Sequence, residues 1–332
     1  SAFGSVTIKM RYEQSEFCNI VQSTCDNVAR VRIQDHEEQP KTERSRKMAK
    51  KKTIIELRKM VAAGEKIVYL TGYDYLTAKY EERAGIDMIL VGDSLGNVIL
   101  GHDSTFPVTM EDMIMHCKAV RKGAPNTFVV GDMPFMSYQV SDEEAVVNAG
   151  RFIKEAGMDC VKLEGINDAA ISRVKAINDA GILVMGHIGL TPQFSLQMGG
   201  NRAQGKSCDA ALKLIDAAKK LEEAGACSIL VEGVPAIVGK AITEQANIPI
   251  LGIGAGSYTD GQLLIFADMV GYFDDFTPKF VKRYGDVGGE LLRSFTAYAQ
   301  EVRAGQFPDD SIHSYKISPE EAEALEEALK SR

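Results

Sequence analysis

Cysteine and histidine are scarce in this sequence. The 332 residues include six cysteines, and no two of them form a Cys-x-x-Cys pair. The chain therefore carries neither a zinc knuckle nor a thioredoxin-type redox motif. With only five histidines and no His-Glu-x-x-His motif, a catalytic zinc site is disfavoured too. Scattered thiols in a chain of this size fit a reducing compartment, so we expect a cytoplasmic protein.

Long apolar runs and an excess of positive charge are also missing. The apolar runs are short, of the length of Met88–Val91, so none predicts a membrane span. Lysine and arginine number 38 against 46 acidic residues, giving a net charge of −8. This balance argues against broad binding to nucleic acid or to anionic lipid. The apolar (45%) and charged (25%) fractions are those of a globular protein, which excludes a disordered or collagen-like chain.

Residues 1–52 lack the periodicity that marks the rest of the chain, and they end in a basic run at 47–52. One interpretation is a targeting or nucleic-acid-binding arm. The other is a solvated extension, translated from upstream of a start at Met48. A short run of charge without structure favours the second interpretation.

From Thr53 onward, short apolar runs alternate with amphipathic helical stretches. Thr53 and Glu56 have the spacing of a capping box, which predicts the start of a helix. Eight apolar runs are rich in Val, Ile and Leu without alternation, as in strands buried on both faces. These predicted strands are 67–70, 88–91, 128–130, 160–163, 183–185, 228–231, 250–253 and 269–271. The predicted helices between them include 109–122, 142–156, 169–179, 209–224 and 236–245.

The dipeptide Ala-Gly recurs at the ends of predicted helices, where glycine suits a helix C-cap. It stands at 84–85, 156–157, 180–181 and 224–225, and a predicted strand follows each within a few residues. Repeated βα units indicate a parallel sheet, and eight of them indicate closure into a (β/α)₈ TIM barrel. An open, doubly wound sheet is the alternative, although it usually has fewer strands. We therefore predict three parts, namely an atypical, poorly ordered extension at 1–50, a barrel at 51–313 and a charged helical tail at 314–332.

Polar residues collect where the predicted strands end, which is where the active sites of such barrels form. They are Asp93, Ser94, Asp132, Lys162, Glu164, His187 and Glu232. Lys162 and Glu164 are two residues apart, so strand pleating points both to one side. Each residue alone has an ordinary explanation as a helix cap, a local ion pair or a buried histidine. Together, however, like charges in one concavity require a cation or a substrate to offset their repulsion.

Three of these carboxylates, Asp93, Asp132 and Glu164, offer the oxygen ligands of a hard cation, Mg²⁺ before Mn²⁺ or Ca²⁺. Such an ion keeps open positions that could chelate an α-keto acid and stabilise its enolate. Lys162 would neutralise the carboxylate of the substrate, and Glu232 would take a proton next to the carbonyl as general base. The sequence thus predicts metal-assisted proton removal.

Two loops complete the set of candidate features. The segment 191–207 is long for a βα loop, and we expect a lid or a loop for a second substrate. Gly252–Gly256 follows the seventh predicted strand, where many barrels bind phosphate. A tight turn beside packed helices explains that glycine-rich stretch equally well.

Six motifs, taken in their order along the chain, resemble the ketopantoate hydroxymethyltransferase family. They read VGDSLG (91–96), GHDST (101–105), GDMPFM (131–136), VKLEG (161–165), GHIGLTP (186–192) and GIGAG (252–256). The resemblance covers about 51–313 and implies a (β/α)₈ barrel. The first 47 residues and the tail after His313 have no counterpart in the family.

The resemblance also implies a role for each polar residue at the strand ends. By this match, Asp93 and Asp132 bind one Mg²⁺ per subunit, with Glu164 completing the metal site. The keto acid is bound by Asp93, Ser94, Asp132 and Lys162. Glu232 matches the proton acceptor of the family, and His187 matches a supporting histidine near the substrate.

The implied reaction transfers a hydroxymethyl group from 5,10-methylenetetrahydrofolate to 3-methyl-2-oxobutanoate, as a step of pantothenate biosynthesis. The products are 2-dehydropantoate and tetrahydrofolate. The implied partners are therefore small molecules, a 2-oxo acid and a reduced folate. The family also forms ring-shaped homo-oligomers, commonly decamers.

Two other functions remain open. A lyase or mutase of the isocitrate lyase and phosphoenolpyruvate mutase type would place the same ion and enolate at the strand ends. Those lyases generally depend on a cysteine loop of the KKCGH type, and no such string occurs here. The second alternative is a catalytically silent oligomeric scaffold, which would not need the matched polar residues that this sequence retains.

Overall fold

The structure, a computed structural model, describes residues 50–332. The interpretations of the N-terminal extension and of the basic run at 47–52 therefore fall almost wholly outside the described residues. Within residues 50–332, no helix combines the length and the apolar character that crossing a membrane requires.

Eight parallel strands close into a barrel in which each strand pairs with the next along the chain and the last pairs with the first. They are β1 (Ile67–Thr71), β2 (Met88–Val91), β3 (Phe128–Asp132), β4 (Cys160–Glu164), β5 (Val184–Gly189), β6 (Ser228–Glu232), β7 (Ile250–Ile253) and β8 (Gly261–Leu264). The predicted (β/α)₈ TIM barrel is confirmed.

Helices follow the strands and pack around the barrel. In chain order they are α1 (Ile54–Ala62), α2 (Tyr75–Ala84), α3 (Leu95–Val98), α4 (Met110–Gly123), α5 (Asp142–Ala156), α6 (Asp168–Asp179), α7 (Ser195–Met198), α8 (Cys208–Glu223), α9 (Ala236–Gln245), α10 (Phe266–Met269), α11 (Val287–Arg303), α12 (Asp310–His313) and α13 (Pro319–Lys330). The last of these lies where the charged tail predicts a helix. The segment 191–207 holds a short 3₁₀ turn at Pro192–Phe194, then α7, then irregular chain.

The predicted eighth strand was wrong. In the structure, Met269 is the last residue of α10 and Val270 is its C-cap. The strand β8 is formed earlier in the chain, by Gly261–Leu264. A glycine opens β8 because the neighbouring strands lie close. A Cβ on Gly261 would meet the Ile67 carbonyl oxygen at 2.6 Å and the Leu251 side chain at 2.7 Å. This strand therefore lacks the continuous apolar run on which the prediction relied.

The helix termini confirm part of the capping signals. Gly85 and Gly157 cap α2 and α5 in the left-handed conformation, as the Ala-Gly repeat predicts. Thr53 is the N-cap of α1, but its hydroxyl contacts the Glu56 side chain instead of a backbone N–H, so no capping box forms there.

Alternate residues of the strands build two apolar layers. One layer lies between the strands and the helices and includes Ile89, Val129 and Val161. The other fills the barrel interior with residues such as Met88 and Val130. The inward-facing positions become polar toward the C-terminal ends of the strands, and this change of character positions the site.

Candidate active site

Pleating and strand register bring the polar residues to one end of the barrel interior. On β4, Cys160 faces inward, and Lys162 and Glu164 continue the same face. Register then pairs Lys162 with Asp132 of β3, and Glu164 with His187 of β5. Glu232 ends β6 opposite Gly189. The predicted grouping of these side chains is thus present in the structure.

Lys162 lies between two carboxylates. Its Nζ is 2.8 Å from Asp132 Oδ1 and 3.2 Å from Glu164 Oε1, and all three side chains are buried. Burial alone lowers the pKa of Lys162, but the charges of Asp132 and Glu164 outweigh it and raise the value. The ammonium group therefore stays charged inside the barrel.

His187 contacts Glu164 as well and adds a further carboxylate, Glu232, to the cluster. Its Nδ1 is 3.0 Å from Glu164 Oε1, and its Nε2 is 3.2 Å from Glu232 Oε2. Burial and the Lys162 charge lower the pKa of His187, but Glu164 and Glu232 outweigh them and raise it to about 9. For Glu164, burial raises the pKa, yet Lys162 and His187 bring it down to about 2. His187 is therefore protonated and Glu164 ionised near neutral pH.

Asp93 lies two residues beyond β2 and turns its backbone toward β3. The Asp93 N–H donates to Asp132 Oδ2 at 3.0 Å, so the two carboxyl groups are neighbours. Burial and mutual repulsion raise the pKa of Asp93 well above its usual range. Burial also raises the pKa of Asp132, with Lys162 offsetting part of the effect. A cation bound beside these two buried acids would favour their ionised forms and lower both pKa values.

Ser94 lies beside this cluster without a described contact to its carboxylates. It is the N-cap of α3, and its Oγ is 2.7 Å from the hydroxyl of Tyr73. Tyr73 is fully buried, and its hydroxyl therefore holds the half-buried Ser94 in place next to Asp93.

Two buried residues of the site, Tyr138 and Gln193, were not predicted. The Tyr138 hydroxyl accepts from the Glu164 N–H at 3.1 Å and donates to Gln193 Oε1 at 2.7 Å. The Gln193 amide in turn donates to Asp93 Oδ2 at 2.9 Å. Neither residue directly follows a strand. The search for polar residues at strand ends, which identified the other residues, therefore could not identify these two. The GHIGLTP motif ends one residue before Gln193 and was the nearest available signal.

The donor set fits a divalent cation at Asp93 and Asp132. In residues 50–332, no three His, Cys, Asp or Glu side chains stand ready as a joint metal site. Both oxygens of Glu164 already have protein partners, since Lys162 and His187 contact Oε1 and the Gln193 N–H donates to Oε2 at 3.0 Å. Asp132 Oδ1, by contrast, is buried and has no hydrogen-bond partner apart from its ion pair with Lys162. Carboxylate oxygens are the donors that Mg²⁺ prefers.

Comparison with known proteins places these residues in a family. The family model of ketopantoate hydroxymethyltransferase matches residues 51–310. A 3-methyl-2-oxobutanoate hydroxymethyltransferase of Alkaliphilus metalliredigens is 56% identical over 284 residues, which span 85% of this chain and 100% of that protein. One of Clostridium acetobutylicum is 55% identical over 253 residues, spanning 76% of this chain and 91% of that protein.

Solved structures share the fold at low identity. A 2,3-dimethylmalate lyase of the PEP mutase/isocitrate lyase superfamily aligns with a TM-score of 0.52 and 16% identity, over 84% of this chain and 98% of that one. A phosphonopyruvate hydrolase bound to oxalate and Mg²⁺ aligns with a TM-score of 0.52 and 13% identity, over 84% and 97%. These likenesses concern the barrel, whereas the sequence matches decide the family. The chain belongs to the ketopantoate hydroxymethyltransferase family and is an enzyme of the transferase class.

Proposed function

We propose that this enzyme transfers the one-carbon unit of 5,10-methylenetetrahydrofolate to 3-methyl-2-oxobutanoate and yields 2-dehydropantoate and tetrahydrofolate. The observation that carries the proposal is the buried pair Asp93–Asp132 at the same strand ends as Glu232, in a chain of this family. The pair supplies a cation site and Glu232 a base, which are the two requirements for forming an enolate.

In this proposal Asp93 and Asp132 hold Mg²⁺, and Glu164 adds its charge to the site. When bound, the ion would act as a Lewis acid on the carbonyl oxygen of the keto acid. For Glu164 to ligate the ion as well, one of its oxygens must leave the Lys162, His187 or Gln193 partner that it has now.

Lys162 and Ser94 orient the keto acid. The Lys162 ammonium is buried and charged, so it attracts the carboxylate of the substrate. The Ser94 hydroxyl, held by Tyr73, offers a further hydrogen bond next to Asp93. Asp93 and Asp132 contribute to substrate binding through the ion that they hold.

Glu232 removes the C3 proton of the substrate. Its side chain is 17% exposed, more than those of the other carboxylates, and therefore accessible to a ligand. Protonated His187 forms an ion pair with Glu232, with Nε2 3.2 Å from Oε2, and this contact positions the carboxylate as the general base. One water molecule hydrolyses the methylene bridge of the folate, so that both C–N bonds break, each nitrogen takes up one proton of the water, and the one-carbon unit is released as formaldehyde. The enolate carbon then forms its bond to the formaldehyde carbon, and the resulting alkoxide takes the proton held by Glu232, which gives the hydroxymethyl group.

A coupled assay tests this proposal. The enzyme should consume 3-methyl-2-oxobutanoate only with 5,10-methylenetetrahydrofolate and Mg²⁺ present, with 2-dehydropantoate as the product. Cleavage of isocitrate or 2-methylisocitrate instead would assign the site to the lyase type. If the enzyme consumes neither the keto acid nor an isocitrate, the result would favour the catalytically silent scaffold.

A further inference from the structure

Gln193 is the middle residue of the 3₁₀ turn in the segment 191–207, and its side chain points into the carboxylate cluster. It is only 3% exposed, although the same segment carries Leu196 with 81% exposure. A polar side chain buried at the start of an exposed loop needs partners for every donor and acceptor. Gln193 finds them at the candidate active site.

The Gln193 side-chain amide has no free hydrogen-bonding capacity. Its Nε2 donates to Asp93 Oδ2 and to the Met133 carbonyl, both at 2.9 Å. Its Oε1 accepts from the Tyr138 hydroxyl at 2.7 Å and from Gln139 Nε2 at 3.2 Å. Because two acceptors face the nitrogen and two donors face the oxygen, the orientation of the amide is fixed by the network.

The backbone of the same residue reaches a second carboxylate. The Gln193 N–H donates to Glu164 Oε2 at 3.0 Å. One residue thus contacts Asp93 on one side of the site and Glu164 on the other. Tyr138 links these two arms, because its hydroxyl also accepts from the Glu164 N–H.

We propose that Gln193 is a positioning residue that sets the orientation of Asp93 and thereby the affinity of the site for a divalent cation. The inference rests on the proposed function, since it concerns the same cation. The hydrogen bond from Gln193 holds Asp93 Oδ2 in place, so that the other oxygen, Oδ1, would be left to bind a cation. The Asp93 N–H holds Asp132 Oδ2 in the same manner, while Asp132 Oδ1 lies 2.8 Å from Lys162 Nζ. Hydrogen bonds behind metal ligands commonly change metal affinity by about 10- to 100-fold.

Gln193→Met tests the inference, because methionine has similar length but cannot donate to Asp93. We expect Mg²⁺ affinity, measured by calorimetry without substrate, to fall about tenfold or more. The KM for the keto acid at saturating Mg²⁺ should change less than the affinity for the ion. Gln245→Met is the matched control, since Gln245 ends α9 on the exposed surface, and its Mg²⁺ affinity should equal that of the wild type.

Tyr138→Phe provides a second variant that does not alter Gln193 itself. Loss of the hydroxyl frees the Gln193 amide to rotate, so Mg²⁺ affinity should fall in the same direction by a smaller factor. The loss in the double variant should be less than the product of the two single losses, because both act on one network. Should Gln193→Met not fold, Tyr138→Phe alone carries the test.

A purely structural role for Gln193 makes a different prediction. The unfolding midpoint without metal would then fall in Gln193→Met while the folded protein bound Mg²⁺ within twofold of the wild-type affinity, and that result would overturn the inference. If the wild type binds no Mg²⁺ at all, the proposed function fails and the inference fails with it.

Discussion

Lys162 and His187 are positively charged residues in a cluster of buried carboxylates. Their positions determine which carboxylates have their negative charge offset by a neighbouring cation. Glu164 contacts both cations, and its pKa falls to about 2. Asp93 contacts neither cation in the described bonds, and burial with repulsion from Asp132 raises its pKa well above the usual range. Asp93 is therefore the least compensated acid, and Asp132 beside it shares the Lys162 charge with Glu164, so a divalent ion would stabilise the site most at this pair.

This difference predicts unequal effects of neutralising the three acids. Asp93→Asn and Asp132→Asn should each raise the Mg²⁺ concentration for half-maximal activity by about tenfold or more, because each removes one negative charge from the ligand set. Glu164→Gln should shift that concentration less, since both Glu164 oxygens have protein partners. A titration of activity with Mg²⁺ measures all three.

Asp103→Asn is the control for these variants, because Asp103 is exposed in the loop between α3 and α4. Its metal requirement should match that of the wild type. An unaltered Mg²⁺ requirement in both Asp93→Asn and Asp132→Asn would refute their assignment as ligands.

The sequence could identify those site residues that have a reactive side chain and also stand at the end of a predicted strand. Asp132, Lys162 and Glu232 lie on or at the end of buried strands, so periodicity alone brought them together. Gln193 lies in a short 3₁₀ turn and Tyr138 in irregular chain, and in neither segment does a sequence period relate a residue to the site. Their function depends on tertiary contacts 55 residues apart in sequence, which a pattern does not encode.

Helix α2 packs a second unusual acid against the barrel. Glu81 is buried, and neither of its carboxylate oxygens has a hydrogen-bond partner. A Cβ on Gly72, just after β1, would lie 2.6 Å from Glu81 Oε2, so only glycine leaves room for this carboxyl group. Burial, with a smaller contribution from Asp74, raises the pKa of Glu81 to about 8.

The raised pKa predicts that stability falls as pH rises. The folded state binds the Glu81 proton up to about pH 8, whereas the unfolded chain releases it near the ordinary value of 4.5. Between these values Glu81 lowers the free energy of unfolding by up to about 1.4 kcal/mol per pH unit. Glu81→Gln should therefore be more stable than the wild type at about pH 9, with the difference vanishing near pH 5.

Urea unfolding across this pH range measures the effect. Glu223→Gln, at an exposed position on α8, serves as the control and should keep the wild-type slope. A Glu81→Gln profile parallel to that of the wild type would show that Glu81 is ionised in the folded protein.

Closure of the barrel between β8 and β1 depends on the absence of a side chain at Gly261. Gly261→Ala places a methyl group against the Ile67 carbonyl and Leu251, and should lower the free energy of unfolding by about 1–3 kcal/mol. Gly150→Ala is the matched control, since Gly150 lies within α5 with no atom within 4 Å of the added Cβ. There alanine should stabilise the protein by up to about 1 kcal/mol. Thermal unfolding of both variants decides, and equal shifts would contradict this account of β8.

Seven of the eight strands could be predicted because they are buried on both faces and therefore read as apolar runs. Strand β8, with the sequence Gly-Gln-Leu-Leu, is short, and its Gln262 is exposed. It therefore lacks a clear apolar run, and the prediction placed the eighth strand at the apolar residues from Met269 instead. The prediction also ended β3 two residues too early, at residue 130, because Gly131 and Asp132 are residue types typical of turns. Their pairing with β4 extends the strand and places Asp132 in the site.

The family resemblance implies a homo-oligomer, and the surface of α11 supports that expectation. No residue of α11 is buried, yet it carries five exposed apolar side chains. They are Val287, Leu292, Phe295, Tyr298 and Val302. An apolar face of this kind marks an interaction site more often than free surface. We propose that a second copy of the chain covers it.

Light scattering after gel filtration tests this assembly. The wild type should have the mass of two or more chains of 36.2 kDa each. Phe295→Asp should reduce that mass, because a charge cannot be buried unpaired at an interface. Gln300→Asp, on the same helix, should leave it unchanged. A wild type that is monomeric at all concentrations would remove the proposed assembly.

The central claim is that Asp93 and Asp132 hold a divalent ion while Glu232 removes the C3 proton of the keto acid. Exchange of that proton with deuterium, followed by NMR in deuterium oxide without folate, isolates this step from hydroxymethyl transfer. We expect exchange in the wild type only with Mg²⁺, and at least about 10²-fold slower exchange in Glu232→Gln, while Mg²⁺ and keto-acid binding survive. Exchange at the wild-type rate in Glu232→Gln, or without any divalent ion, would contradict the claim.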